Sequence, residues 1–392
     1  MSSPAKFAVF FSLCVVGTLI GAIELRTRPQ PFPIAETSYP PVEIESGRLA
    51  APYPARTLLA RVGQFDNELT AYLWFDYLRG RPGLDPESTY LSVSEEAGAP
   101  HYRIYLGLRN DALTAIPYLS HLEARGDISG FDLAFSNPGT VDSLRDQTSL
   151  FRAAYEKPAR RTLEAADARE LAPSVARFVL FKSQTDPRTR AQALSLGREQ
   201  ASDLAADIIA VAKFYDLPLD VFLGIGAMEN NYLNAPGDLQ HAIWKRRPAR
   251  DDIVLKRLRR GVLVSDPSVG VWQITRETLR YAHELYRKDS RDYSQLPERL
   301  RPPEKLAFDL SDSHLLTTYA GLLLRDLLDR FHGDVAKAVG AYNGGPRNPN
   351  AQYAAGVNLV AEYARNILER APIAQRAASA TPAGDERSAA DE

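Results

Sequence analysis

Ile225-Gly226-Ala227-Met228-Glu229-Asn230-Asn231-Tyr232 decides how the rest of the chain is read. A carboxylate, Glu229, directly follows an apolar run with the character of a buried helix end. Burial against apolar groups disfavours the charged form of a carboxyl and raises its pKa, which is what a proton donor at neutral pH needs. Leu217-Pro218 marks the start of this helix, since proline suits a first helical turn. Asn234-Ala235-Pro236-Gly237 is a turn signal after it.

Outward from this stretch, the flanking sequence is predominantly helical. Leu204, Ile208, Val211 and Tyr215 mark one helical face before it. After it, helices are predicted over 277–286, over 315–331 with a stop at Gly333, over 335–342, and over 357–370. Residues 293–305 are Pro-rich and loop-like. The fold class expected for 196–370 is a mainly α catalytic domain. Residues 161–195 read as a helical connector interrupted at Pro173 and Asp186-Pro187.

Residues 55–160 read as a small α+β domain. Leu58 to Phe75 recur at roughly helical spacing, 102–108 and 131–135 read as strands, and 111–125 and 141–155 as helices. Tyr90, Tyr102, Tyr105 and Tyr118 fit core and surface packing better than sugar stacking. At the amino terminus, residues 7–23 carry no charge, with Lys6 before them and Glu24, Arg26 and Arg28 after. That pattern predicts export, by a signal peptide or a membrane anchor. Ile20-Gly21-Ala22 is a poor cleavage site, which favours the anchor, and Phe11-Ser12-Leu13 is a poor context for lipidation of Cys14. Residues 24–54 are a Pro-rich linker, and 371–392 an Ala-, Ser- and acid-rich disordered tail.

Composition excludes several classes. Acidic and basic residues number 49 and 47, so no global basic field points to nucleic acid. One cysteine precludes an internal disulfide and a cysteine-ligated zinc site. The histidines form no His-x-x-x-His pair, and no metal or other cofactor is expected. A local basic block runs from Lys245 to Arg260 behind Trp244. Val254, Leu255 and Leu258 suggest that part of it is helical. It reads as a solvated insertion or as a cationic rim for an anionic polymer.

Two later stretches complete the pattern: Gly270-Val271-Trp272-Gln273-Ile274 and Ala341-Tyr342-Asn343-Gly344-Gly345-Pro346. With Glu229-Asn230-Asn231-Tyr232 they resemble, in order and helical frame, the soluble-lytic-transglycosylase catalytic domain. This is a lysozyme-like family of the glycoside hydrolase family 23 type, which cleaves peptidoglycan and includes goose-type lysozyme. The resemblance covers 196–370. It implies a lysozyme-like fold and cleavage of the MurNAc–GlcNAc bond with 1,6-anhydro-muramoyl ends, using one glutamate as acid and then base. By this resemblance Glu229 is the catalytic residue, and Ser265, Gln273, Tyr342, Asn343 and Tyr363 contact substrate. Glu362-Tyr363-Ala364 takes the place of the family's closing tyrosine. The sequence departs from the family in having Asn230 where serine is usual, and Asp266 to Val269 where a Gly-Ala pair is usual. It also carries the long insertion between Glu229 and Gly270.

The implied partners are peptidoglycan glycan strands, the inner membrane through 7–23, and envelope proteins through the first domain. The implied location is the bacterial periplasm or envelope. Two alternatives stand beside this reading. One is a hydrolase of the same fold, which needs a second carboxylate such as Asp238, Asp251, Asp252 or Asp266. The other is an inactive peptidoglycan-binding module.

Overall fold

In the computed structural model, the residues described are 57–96, 98–108, 112–156, 168–186, 195–234, 241–245, 254–258, 261–266, 268, 270–306 and 312–369. The apolar segment 7–23, the Pro-rich stretch 24–54 and the tail 371–392 lie outside them, as do Asp238, Asp251 and Asp252. Among the described residues no helix is long and apolar enough to cross a membrane.

The amino-terminal half is built on a four-stranded antiparallel sheet: β1 (Thr57–Phe65), β2 (Thr89–Glu96), β3 (Ala99–Leu108) and β4 (Asp132–Ser136), in the spatial order β2-β3-β1-β4. β1 is therefore a central strand, not the start of a helix as its apolar spacing suggested. Leu58, Leu59, Ala60 and Val62 are all buried. A strand covered on both faces reads as an apolar run rather than an alternation, and such a run mimics helical spacing. The helix begins only at α1 (Glu68–Arg79), where Asn67 Oδ1 accepts from the Thr70 N–H at 3.1 Å as an N-cap. α2 (Ala112–Ala124) and α3 (Pro138–Tyr155) follow β3 and β4. α3 covers the β2 edge: Thr148 Oγ1 accepts from the Leu91 N–H at 2.9 Å and Gln147 Oε1 from the Val93 N–H at 3.1 Å. Side chains thereby occupy edge donors that would otherwise invite another strand. The tyrosines pack or bond internally, with Tyr90 buried, Tyr102 edge-on to Phe151 and the Tyr118 hydroxyl donating to the Gly83 carbonyl.

The helical half runs through α4 (Ala168–Thr185), α5 (Arg198–Phe214), α6 (Leu219–Asn230), α7 (Arg276–Tyr286), α8 (Ser313–Arg330), α9 (Val335–Gly344) and α10 (Ala351–Leu368). The chain is thus helix-rich, with ten α-helices among the described residues. Pro173 does not interrupt α4 but lies inside it. So close to the helix start, a proline forfeits only one intrahelical bond. α10 begins at Ala351, a turn and a half ahead of the expected 357, because Asn350 caps it: its Oδ1 accepts from the Tyr353 N–H at 3.1 Å.

The basic insertion is not helical where the sequence suggested. It contributes β5 (His241–Lys245), β6 (Val254–Leu258) and β7 (Gly261–Asp266), an antiparallel sheet in the order β5-β7-β6. Val254, Val262 and Val264 are β-branched and favour strand, and Leu258 pairs with Gly261 across the Arg259-Arg260 connection.

One contiguous core joins both halves. Tyr72, Phe75 and Leu78 of α1, Val175, Phe178 and Val179 of α4, Leu204 and Ile208 of α5, and Ala361 and Ala364 of α10 belong to the same buried cluster. α4 is the shared element. It packs on α1 on one side and on α5 and α10 on the other.

Candidate active site

α6 is buried nearly all round, from Leu219 to Ala227 and again at Asn230. An apolar helix of this kind can only be a central one. Its single first-turn charge, Asp220, is buried and accepts from Arg365 Nε of α10 at 2.6 Å. Gly224 lets α10 approach, since a Cβ there would lie 2.8 Å from the Val357 carbonyl oxygen and 3.3 Å from Ala361 Cβ.

The helix ends on two consecutive left-handed residues, Asn231 (φ 45°) and Tyr232 (φ 62°). Asparagine tolerates this conformation better than most residues. Tyr232 is held in it by burial: its ring folds back onto Gly226, and its hydroxyl donates to the Leu223 carbonyl at 2.6 Å. Asn231 Nδ2 donates to Asp186 Oδ2 at 2.9 Å, tying this reversal to the end of α4. The reversal leaves Glu229 half-buried on the lining of a cleft, while Ala227, two residues earlier, is in the core.

The loop before α7 forms the next wall. Trp272 is fully buried, stacked on Phe222 of α6 at 4.3 Å and 10°, with its indole N–H donating to Thr317 Oγ1 of α8 at 2.8 Å. Stacking plus a satisfied indole fixes the loop to two helices at once. Gly270 (φ 75°) and Gln273 (φ 48°) make its bends. Gln273 Nε2 donates to the Gly270 carbonyl at 2.8 Å, and Ser268 Oγ donates to Gln273 Oε1 at 2.9 Å. Asn230 Nδ2 donates to the Leu233 carbonyl at 2.7 Å and the Gly270 carbonyl at 3.3 Å, stitching the end of α6 to this loop.

The third wall is the α9–α10 corner. Tyr342 lies beside Glu229, its hydroxyl 3.4 Å from the Trp272 carbonyl, and Asn343 Oδ1 accepts from Asn350 Nδ2 at 2.9 Å. Gly344 is required here, because a Cβ would sit 2.9 Å from the Asn350 backbone nitrogen. From the first turn of α10, the Tyr353 hydroxyl donates to Glu229 Oε1 at 2.6 Å.

Burial pushes the Glu229 carboxyl up to about 7, against the smaller opposing effect of the Tyr353 hydrogen bond, which favours the charged form. Burial, and secondarily the Glu229 charge, hold the Tyr342 and Tyr353 phenols well above their ordinary value, so both remain neutral donors. The cleft has a volume of about 880 Å³ and is lined by Glu229, Ser268, Gln273, Tyr342 and Asn343, continuing along α7 and α8 to Tyr281, Asp326 and Arg330. Such a volume is ample for a ligand site, for which roughly 300–1,000 Å³ is usual.

The structure brings Glu229, Gln273, Tyr342 and Asn343 to one cleft. Tyr363 is elsewhere. It packs against Phe178, lies under Lys182 Nζ at 5.7 Å, and bonds Asp76 of α1. Ten residues, nearly three helical turns, separate it from Tyr353. The tyrosine at the carboxylate is Tyr353, which the late expected start of α10 left outside any helix. Its signal was Asn350, a preferred N-cap three residues before it. Ser265 is a β7 strand residue, its backbone paired with Ala242 and Val254, and its side chain lies outside the described residues. The hydroxyl that reaches the cleft is that of Ser268. Asp266 is likewise in β7, and the further carboxylates on the described lining are Glu277 and Asp326.

Comparison of the chain with protein-family models, with characterised proteins and with solved structures finds no match.

Proposed function

We propose that the chain is a peptidoglycan lytic transglycosylase with a lysozyme-like catalytic half, acting in the bacterial envelope. The observation that carries the reading is Glu229: one carboxyl, its pKa raised to about 7 by burial, bonded by Tyr353 and lining a large cleft. An acid with a pKa near 7 is present in both protonation states at the pH where it works, which suits a group that first gives a proton and then takes one.

In the proposed reaction Glu229 protonates the oxygen linking N-acetylmuramic acid to N-acetylglucosamine, and the C1–O bond breaks. The acetamido oxygen of the muramoyl residue attacks C1 as the bond opens, sparing the second carboxylate that most glycosidases need. The Glu229 carboxylate then removes the proton from the C6 hydroxyl. O6 closes on C1, the acetamido group leaves, and the product is a 1,6-anhydro end. Tyr353 keeps one Glu229 oxygen occupied, so the other faces the substrate. The Tyr342 hydroxyl, beside Glu229, would exchange its long contact to the Trp272 carbonyl for the acetamido oxygen. Gln273, already bonded at both ends of its amide, holds the loop rather than the sugar.

The presence of Glu277 on the same lining supports a second reading, a hydrolase in which it holds the attacking water. Mass spectrometry of purified sacculi digested by the whole protein separates the two. Anhydro-muropeptides are expected from wild type, and none from Glu229→Gln, with its circular dichroism and melting behaviour intact. Reducing ends establish the hydrolase. Undiminished turnover by Glu229→Gln removes Glu229 from the chemistry.

A further inference from the structure

The cleft changes chemical character along its length. Around Glu229 its polar groups are neutral: Ser268, Gln273, Tyr342 and Asn343. Further along, between α7 and α8, the lining carries Asp326 and Arg330 together with Tyr281. Leu323, Asp326, Leu327 and Arg330 recur at three- and four-residue spacing, so they form one face of α8. Leu323 and Leu327 are buried, which holds the two charged groups at the rim of an apolar wall.

The charged groups are ordered by one another. Arg330 Nη2 donates to the Tyr281 hydroxyl at 3.2 Å and contacts Asp326 Oδ2 at 3.5 Å. The Tyr281 hydroxyl in turn donates to Asp326 Oδ2 at 3.0 Å. Both Arg330 contacts are long and use the same nitrogen. Among the described residues, Nε and Nη1 have no hydrogen-bond partner, and the side chain is 45% exposed. The guanidinium is thus aimed but not saturated, and its open Nη1 can donate a charge-assisted hydrogen bond to a carboxylate.

An N-acetylated glycan backbone carries no charge. Seating it against Arg330 and Asp326 would strip their water and offer no opposite charge in return. The peptide stem on the muramoyl lactyl group does carry free carboxylates. We propose that the α7–α8 end of the cleft is a subsite for the peptide stem, in which Arg330 binds a stem carboxylate and Tyr281 and Asp326 fix the guanidinium plane. The proposal rests on the reading of the cleft as a peptidoglycan site and adds to it a preference for stem-bearing strands.

The test is calorimetric titration of the full chain carrying Glu229→Gln, which blocks turnover. Two soluble probes are used: a GlcNAc–MurNAc disaccharide bearing its tetrapeptide, and the same disaccharide with the lactyl group capped as a methylamide. The stem-bearing probe binds about tenfold tighter, as expected for one charge-assisted pair. Arg330→Ala abolishes that advantage and leaves the capped probe's affinity unchanged, and Arg330→Lys restores part of it. Equal affinity for the two probes overturns the proposal, as does an Arg330→Ala variant that weakens both alike. The titration reads binding, whereas product analysis of sacculi reads the reaction, so the subsite and the transglycosylase reading fail on separate measurements.

Discussion

Glu229 makes the stability of this protein depend on pH in a calculable direction. Its carboxyl is raised in the folded state to about 7, so the native state binds a proton that the unfolded chain, with an ordinary carboxyl, has released. Stability from this group is therefore full below the ordinary carboxyl range, falls as pH rises from there towards 7, and is lost above it. Glu229→Gln is expected to be more stable than wild type at pH 8 by about 2 kcal/mol, with no gain at pH 4.5. Urea titration at the two pH values measures this. The glutamine keeps an oxygen for Tyr353, so the comparison isolates the charge. Tyr353→Phe removes the one hydrogen bond that favours the charged form. The descending limb of the rate–pH profile, where the acid deprotonates, then moves to higher pH by about one unit. An unmoved limb would show that another group controls it.

At the scale of elements, the site depends on how closely α6 and α10 approach, because one carries Glu229 and the other Tyr353. The approach is set by Gly224. Gly224→Ala places a methyl 2.8 Å from the Val357 carbonyl oxygen and 3.3 Å from Ala361 Cβ, and both contacts come from a helix that cannot yield locally. The expected cost is about 2–3 kcal/mol in denaturant unfolding, with loss of turnover even where the protein remains folded. A variant with normal stability and activity would show that the two helices are free to separate. The same scale explains where sequence reading and structure part. The cleft residues of α6, α9 and the loop before α7 are legible because their three motifs, each weak alone, together resemble the pattern of one catalytic family. Tyr353 is not, since the expected helix begins at 357, beyond the Asn350 cap. β1 was mistaken for helix because a central strand, buried on both faces, shows no alternation. In the insertion Val254, Leu255 and Leu258 suggest helix by spacing, whereas Val262 and Val264 of β7 pair with Arg257 and Leu255 of β6 and hold the segment as strand.

At the scale of the molecule, the sheet half and the helical half are one folding unit in energetic terms. Phe178 and Val179 of α4 are fully buried between α1 and the helices around the site, and Trp74 and Tyr77 of α1 meet Phe181 edge-on. Scanning calorimetry of the whole chain is expected to show a single transition for both halves, and a fragment beginning at 196 is expected to stay unfolded because it exposes the surface α4 covers. Two separate transitions, or a stable fragment, would refute the shared core.

The sequence by itself determined the local chemistry: an apolar helix delivering one carboxylate, a Gly-Val-Trp-Gln-Ile loop, and an Asn-Gly-Gly corner, each specified by residues close in the chain. Only the tertiary structure decided which tyrosine meets that carboxylate. Tyr353 and Tyr363 lie on the same helix within three turns of each other, and both are plausible by spacing. Their faces differ because the α6–α10 packing at Gly224 and the α4 contact at Phe178 fix the rotation of α10, turning Tyr353 to Glu229 and Tyr363 to Asp76. Helix rotation is set by what each face must bury against its neighbours, and those neighbours are more than a hundred residues away in the chain.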